Sequence, residues 1–90
     1  MNKTNTKNSG IARIIIFPCK GGFVGVCLDF NIIEEWETRE EVEYSMREAV
    51  IGYIKCICKN NLDDQLLNRH ANKRYWKMYE SCPKSIQRWG

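Results

Sequence analysis

One histidine, His70, is all that this 90-residue chain carries, and that scarcity excludes much chemistry at the outset. A structural zinc site wants about four convergent ligands, and here a lone imidazole stands among scattered thiols. Cys56 and Cys58 lie two apart, so on a helix roughly 200° separates them and they cannot share one metal. One of the two is expected in the core. Cys19 and His70 form the only nucleophile–base pair available, and nothing in their spacing brings them together. No glycine loop resembles a phosphate cradle. The expectation is a protein that is not an enzyme and holds no metal or cofactor.

Other absences bound the class further. Nothing approaches the length of a membrane span, and the first ten residues lack the apolar core of a signal peptide. The five cysteines (Cys19, Cys27, Cys56, Cys58, Cys82) are odd in number and irregularly spaced, unlike a disulfide framework. A cytoplasmic chain with reduced thiols and no membrane partner is expected. There is no internal repeat and no low-complexity segment. The net charge of +3 is too small to mark a nucleic-acid binder by itself.

Charge placement says more than its total. Residues 1–33 carry Lys3, Lys7, Arg13 and Lys20 against Asp29 alone. Residues 34–48 carry Glu34, Glu35, Glu37, Glu40, Glu41, Glu43 and Glu48 against Arg39 and Arg47. Residues 49–90 hold eight basic residues against Asp63, Asp64 and Glu80. The chain has an acidic middle and a basic tail.

Hydrophobic periodicity changes at Thr38. Upstream, Ile11–Phe17, Phe23–Leu28 and Ile32–Glu37 read as strands. Pro18 is expected to stop the first, Lys20-Gly21-Gly22 to turn into the second, and Asp29-Phe30-Asn31 to turn into the third. Gly25, inside the second, marks a bulge or a close backbone approach. Downstream, Val42, Met46, Ala49, Val50, Tyr53, Ile54 and Ile57 recur at the three- and four-residue spacing of one helical face. Thr38 three residues before Glu41 is a capping-box pattern, and the early glutamates suit the positive end of the helix dipole. The helix should run to about Lys59 and end at Asn60-Asn61. Beyond it, Leu62, Leu66 and Leu67 suggest a short helical turn capped by Asn61. Lys73–Ser81 reads as a second short helix ending before Pro83, and Lys84–Gly90 as loose. The expected architecture is α+β: a three-stranded antiparallel β-meander packed by one long helix (β-β-β-α), with a short helical C-terminal tail. Its parts are a flexible lead-in (1–10), the β-β-β-α domain (11–60) and a basic-aromatic tail (61–90).

Gly22-Phe23-Val24-Gly25-Val26-Cys27-Leu28-Asp29, then Thr38-Arg39-Glu40-Glu41-Val42 and Glu48-Ala49-Val50 with Tyr53, resemble the amino-terminal domain of HicB-type antitoxins over roughly residues 11–60. The resemblance implies a non-catalytic partner protein that masks a HicA-type toxin, a small ribonuclease of double-stranded-RNA-binding fold. Many relatives add a helix-turn-helix or ribbon-helix-helix module for DNA. The thirty residues after this helix show no such spacing, so the resemblance is to a stand-alone domain.

Two surfaces compete for a function. Glu34, Glu35, Glu37, Glu40 and Glu43 form an acidic stretch suited to a basic toxin by charge complementarity; the bland account is a solvated helix start. Arg69, Lys73, Arg74, Trp76 and Lys77 interleave basic and aromatic character, as nucleic-acid binders do; the bland account has Tyr75, Trp76 and Tyr79 packing inward. Ala12, Ile14 and Ile16 should line one sheet face and Ile11, Ile15 and Phe17 the other, while one helix covers only one face. A homodimer or higher homo-oligomer is therefore expected, hiding the second face or an edge.

Overall fold

The computed structural model describes residues 5–90, so residues 1–4 of the expected lead-in lie outside the described residues. Its elements are β1 (Gly10–Cys19), β2 (Gly22–Cys27), β3 (Ile32–Trp36), α1 (Arg39–Lys59), a 3-10 turn (Asp64–Asn68), α2 (Lys73–Met78) and β4 (Lys84–Trp89). The α+β class and the β-β-β-α order hold. The sheet has four strands rather than three, ordered β3-β2-β1-β4, and every neighbouring pair is antiparallel.

The extra strand is the main correction to the sequence reading. Residues Lys84–Trp89, expected to be loose, pair with Gly10–Ile15. Their partner lies some seventy residues away, and no local pattern advertises a strand whose register is set by that distant template. Trp89 fixes the end: its ring sits 5.9 Å from Phe30 and its indole N–H donates to the Thr6 carbonyl at 2.8 Å.

Pro18 does not stop β1, which runs on to Cys19. The reason is parity. The Ile16 N–H points toward the β4 side, donating to the Pro83 carbonyl, and Pro18 shares that direction two residues later. The β1–β4 pairing ends at Ile15–Lys84, so the donor that proline lacks would face no strand. The lead-in is also less free than expected. Asn5 is buried; its backbone N–H donates to the Asn68 side chain, and its side-chain amide to the carbonyls of Ile11 and Leu67.

Helix α1 begins and ends as its sequence dictates. Thr38 and Glu41 form the reciprocal capping box. At the other end Asn61 has φ +50, with Asn61 N–H donating to the Cys58 carbonyl and Leu62 N–H to that of Ile57. That pair of bonds is the Schellman arrangement, which closes a helix on a left-handed residue. The following 3-10 turn is capped by Asp63 rather than Asn61. Val42, Met46, Val50, Ile54 and Ile57 are buried on the sheet side. Neither Cys56 nor Cys58 lies in the core; both are exposed, flanking buried Ile57.

Both faces of β1 are covered. Ala12, Ile14 and Ile16 join the α1 core with Cys27 and Phe30. Ile15, Val26, Leu28 and Ala71 form a second cluster, packed by Phe17, Tyr75, Trp76, Met78 and Tyr79. The tail thus folds under the sheet, and the argument for association from a bare second face does not hold. Burying Ile15, Val26 and Leu28 is worth about 1.5–3 kcal/mol apiece. Together that is comparable to the whole stability of a small domain, about 5–15 kcal/mol.

Gly25 marks close approach, not a bulge, because the pairing on either side of it is unbroken. A Cβ there would sit 2.6 Å from Met46 Cγ and 2.7 Å from Val42 Cγ1. Gly25→Val is expected to cost about 1–3 kcal/mol by overpacking, with Gly25→Ala costing less. An unchanged urea midpoint for the valine variant would refute this contact.

Candidate functional site

The two strands that end the sheet carry the largest apolar exposure outside loops and helices. Ile33 is 51% exposed and Trp36 44% on β3, and Ile86 is 45% exposed on β4. Facing follows the register. Val26 lies between Ile15 and Ile33, and Ile15 pairs with Lys84. Ile33, Glu35, Lys84 and Ile86 are therefore all on the face covered by the tail, where α2 protects the central strands and leaves the flanking ones bare. Trp36 and Glu34 point to the α1 face.

The acidic residues singled out in sequence do not form one stripe. Glu34 is half-buried; its carboxylate accepts from the Ser45 hydroxyl at 2.7 Å and from the Trp36 indole at 3.1 Å, tying α1 to β3. Glu35 is exposed on the opposite face, with one oxygen 3.5 Å from Cys19 Sγ. Glu37 and Glu40 are exposed at the α1 start. Glu43 lies apart, lining a groove of about 280 Å³ between α1 and β4 with Arg39, Arg47 and Lys84. Glu41, four before Ser45, lies toward the β3 side with its carboxylate closing the capping box, whereas Glu48, two residues from both buried Met46 and buried Val50, points away from the sheet. The acidic residues nearest the free strand edge are Glu34, Glu35, Glu37 and Glu41. Glu43 and Glu48 belong to the same acidic segment, and helical spacing carries them away from that edge.

In the tail, the bases Arg69, Lys73, Arg74 and Lys77 are exposed. Trp76 is not free to stack a base. Arg13 lies 5.6 Å from its ring centre and His70 5.3 Å, and it packs into the second cluster. Phe17 stacks with Tyr75 at 6.3 Å. The bland account of the aromatics is the one the packing follows.

Two of the five thiols are shifted toward the protonated form. Partial burial, with Glu35 adding to it, raises the Cys19 thiol pKa, which suppresses the thiolate. Burial pushes Cys27 up to about 12. Among the described residues, no group of three or more His, Cys, Asp and Glu side chains is placed to hold a metal ion, and no helix is long and apolar enough to cross a membrane.

Sequence reasoning missed the clasp that seats the tail. Asp29, 3% exposed, accepts from the Arg13 backbone N–H at 2.8 Å and its guanidinium at 2.6 Å. The same Arg13 stacks on Trp76, and the Ala71 N–H donates to the neighbouring Leu28 carbonyl at 2.8 Å. The only sequence signal was Arg13 within an apolar strand and Asp29 in the turn that follows the second. Comparison of the chain with protein-family models, characterised proteins and solved structures finds no match.

Burial raises the Asp29 carboxyl above its usual value, against the opposing pull of Arg13. A group raised on folding contributes stability that is complete below its unfolded pKa and lost as pH rises through the folded one. Measured against Asp29→Asn, wild-type stability is therefore expected to fall as pH climbs from about 4, then level off once the carboxyl ionises. Urea midpoints whose difference stays constant across that range would contradict the assignment.

Proposed function

We propose that this chain is a non-catalytic, antitoxin-like binding protein of the cytoplasm that neutralises a basic partner, in the manner of HicB proteins on HicA-type toxin ribonucleases, by covering it. The observation that carries this reading is the β3 flank. A free strand edge presents Ile33 and Trp36 as apolar anchors, ringed by carboxylates on both faces and on the helix above. An aromatic anchor within a charged rim is the anatomy of a protein interface. The carboxylates select a partner of opposite sign and speed encounter. A surface that binds nucleic acid itself would be basic, and the aromatics of the basic tail are already engaged beneath the sheet. Five free cysteines accord with a reducing compartment.

The test is a binding measurement against the product of the neighbouring open reading frame, which this reading expects to be a short basic protein. Trp36→Ala is expected to weaken binding at least tenfold, the cost of an interface anchor at about 1.4 kcal/mol or more. The pair Glu35→Lys and Glu37→Lys should slow association and flatten its dependence on salt. Arg74→Gln with Lys77→Gln should leave affinity unchanged. Binding lost only with the tail substitutions would replace this reading with the nucleic-acid-type surface.

A further inference from the structure

The two flanks of the molecule are opposite in charge and matched in shape. On the β3 side stand Glu34, Glu35 and Glu37, with Glu41 at the start of α1 above. On the β4 side stand Lys84 and Arg88, with Arg39 and Arg47 across the groove and Glu43 the one acid among them. Each edge repels a copy of itself, since like charges across a strand pair are destabilising. Each attracts the other.

We propose that the β3 flank of one molecule takes the β4 flank of a second copy of this chain, adding that copy's β4 to β3 as an antiparallel strand with Ile33 opposite Ile86 and Glu35 opposite Lys84. Direction, face and register agree on this arrangement. In the sheet β3 and β4 run antiparallel to each other, because three antiparallel pairings separate them. A copy displaced sideways therefore offers β4 to β3 in the antiparallel sense without turning over. Ile33, Glu35, Lys84 and Ile86 already share one face, so a single register pairs apolar with apolar and acid with base. The same register sets Glu34 against Ser85 and Trp36 against Pro83 on the other face. Lys84 holds its ammonium 4.9 Å from the Tyr79 ring and donates to the Glu80 carbonyl, which leaves donors for a carboxylate.

The helix layer fits as well. Four strands advance about 19 Å, whereas a helix with its side chains is about 10–12 Å wide. α1 lies mainly over β2 and β3, leaving a groove floored by Ile14, Ile16 and Met46 on the β4 side. In the added copy this groove, with its Arg47, faces the Glu41 side of α1 in the first. Ile33, Trp36 and Ile86, exposed in the single molecule, all become covered.

This pairing is head-to-tail, so every added copy presents the same two flanks again and the assembly does not close at two. It shares the β3 flank with the basic partner proposed above, and partner binding would therefore compete with self-association. The test uses the chain alone, so its failure would leave the partner reading standing.

Sedimentation of the full chain from about 1 µM to about 1 mM, a range spanning weak association, should show average mass rising past the dimer without a plateau. Glu35→Lys and Lys84→Glu should each need at least tenfold higher concentration to associate. An equimolar mixture of the two variants should recover, because each new lysine then meets a new glutamate. Ile33→Asp, at a half-exposed position on an edge strand, should abolish association while circular dichroism shows the fold retained at a lowered melting temperature. A wild-type chain monomeric at the upper limit would overturn the proposal. So would a mass that levels at the dimer, a mixture that stays apart, or an Ile33→Asp variant that assembles like wild type.

Discussion

Burial of β1 on two faces at once is the constraint from which the rest of this structure follows. Ile14, Ile15 and Ile16 are consecutive and all nearly inaccessible, yet successive side chains on a strand point to opposite sides. No single helix can serve them both. α1 takes the even-numbered side, so the odd-numbered side needs another cover, and the segment after α1 supplies it. The return of the tail beneath the sheet, its seating by Arg13 and Asp29, and the closing of β4 along β1 are consequences of that demand. β1 ends up in the middle of the sheet because both its edges and both its faces are used.

That demand explains what was legible in the sequence and what was not. α1 was readable to the residue because its signals are local: a capping box three residues wide, a periodic face and a left-handed asparagine at the end. The split of β1 into two faces was equally plain, since strand alternation requires it. The remedy was hidden. Tyr75, Trp76 and Tyr79 have helical spacing, but nothing in spacing says whether such a face meets its own sheet, a second copy or a nucleobase. β4 was harder still, with alternation carried only by Ile86 among charged and polar neighbours. It becomes a strand because β1 offers a free edge and Phe30 a surface for Trp89. The acidic site was half legible: seven glutamates in fifteen residues announce a charged region, but only the fold sorts them between two faces of β3 and two stripes of α1.

Once both faces are closed, the edges carry what remains of the molecule's stickiness. A sheet of four strands has two, and both are short here, five and six residues. Short charged edges usually guard against uncontrolled pairing. The same devices acquire direction when the two edges differ in sign. Glutamates on β3 and a lysine and an arginine on β4 forbid like pairing and permit unlike, so protection and selectivity come from one arrangement of charge.

The acidic middle and basic tail therefore mean something different in space than along the chain. Read linearly, they suggest two unrelated patches, one for a protein and one for nucleic acid. Folding interleaves them: the tail's aromatics go inward, four of its bases stay near α2, and Lys84 and Arg88 pass to the far edge of the sheet, three strands from Glu34 and Glu35. Arg47, though embedded in the acidic segment, falls on the β4 side because helical period sends it there, while Arg39 lies over the Phe23 ring at one end of the groove. The resulting dipole lies across the strands, in the direction of backbone hydrogen bonding. Charge along that axis acts on whatever approaches a strand edge and does little for ligands approaching a face. In a molecule whose central strands are covered on both faces and whose edges differ in charge, the proposed pairing is a sideways one, through added strands.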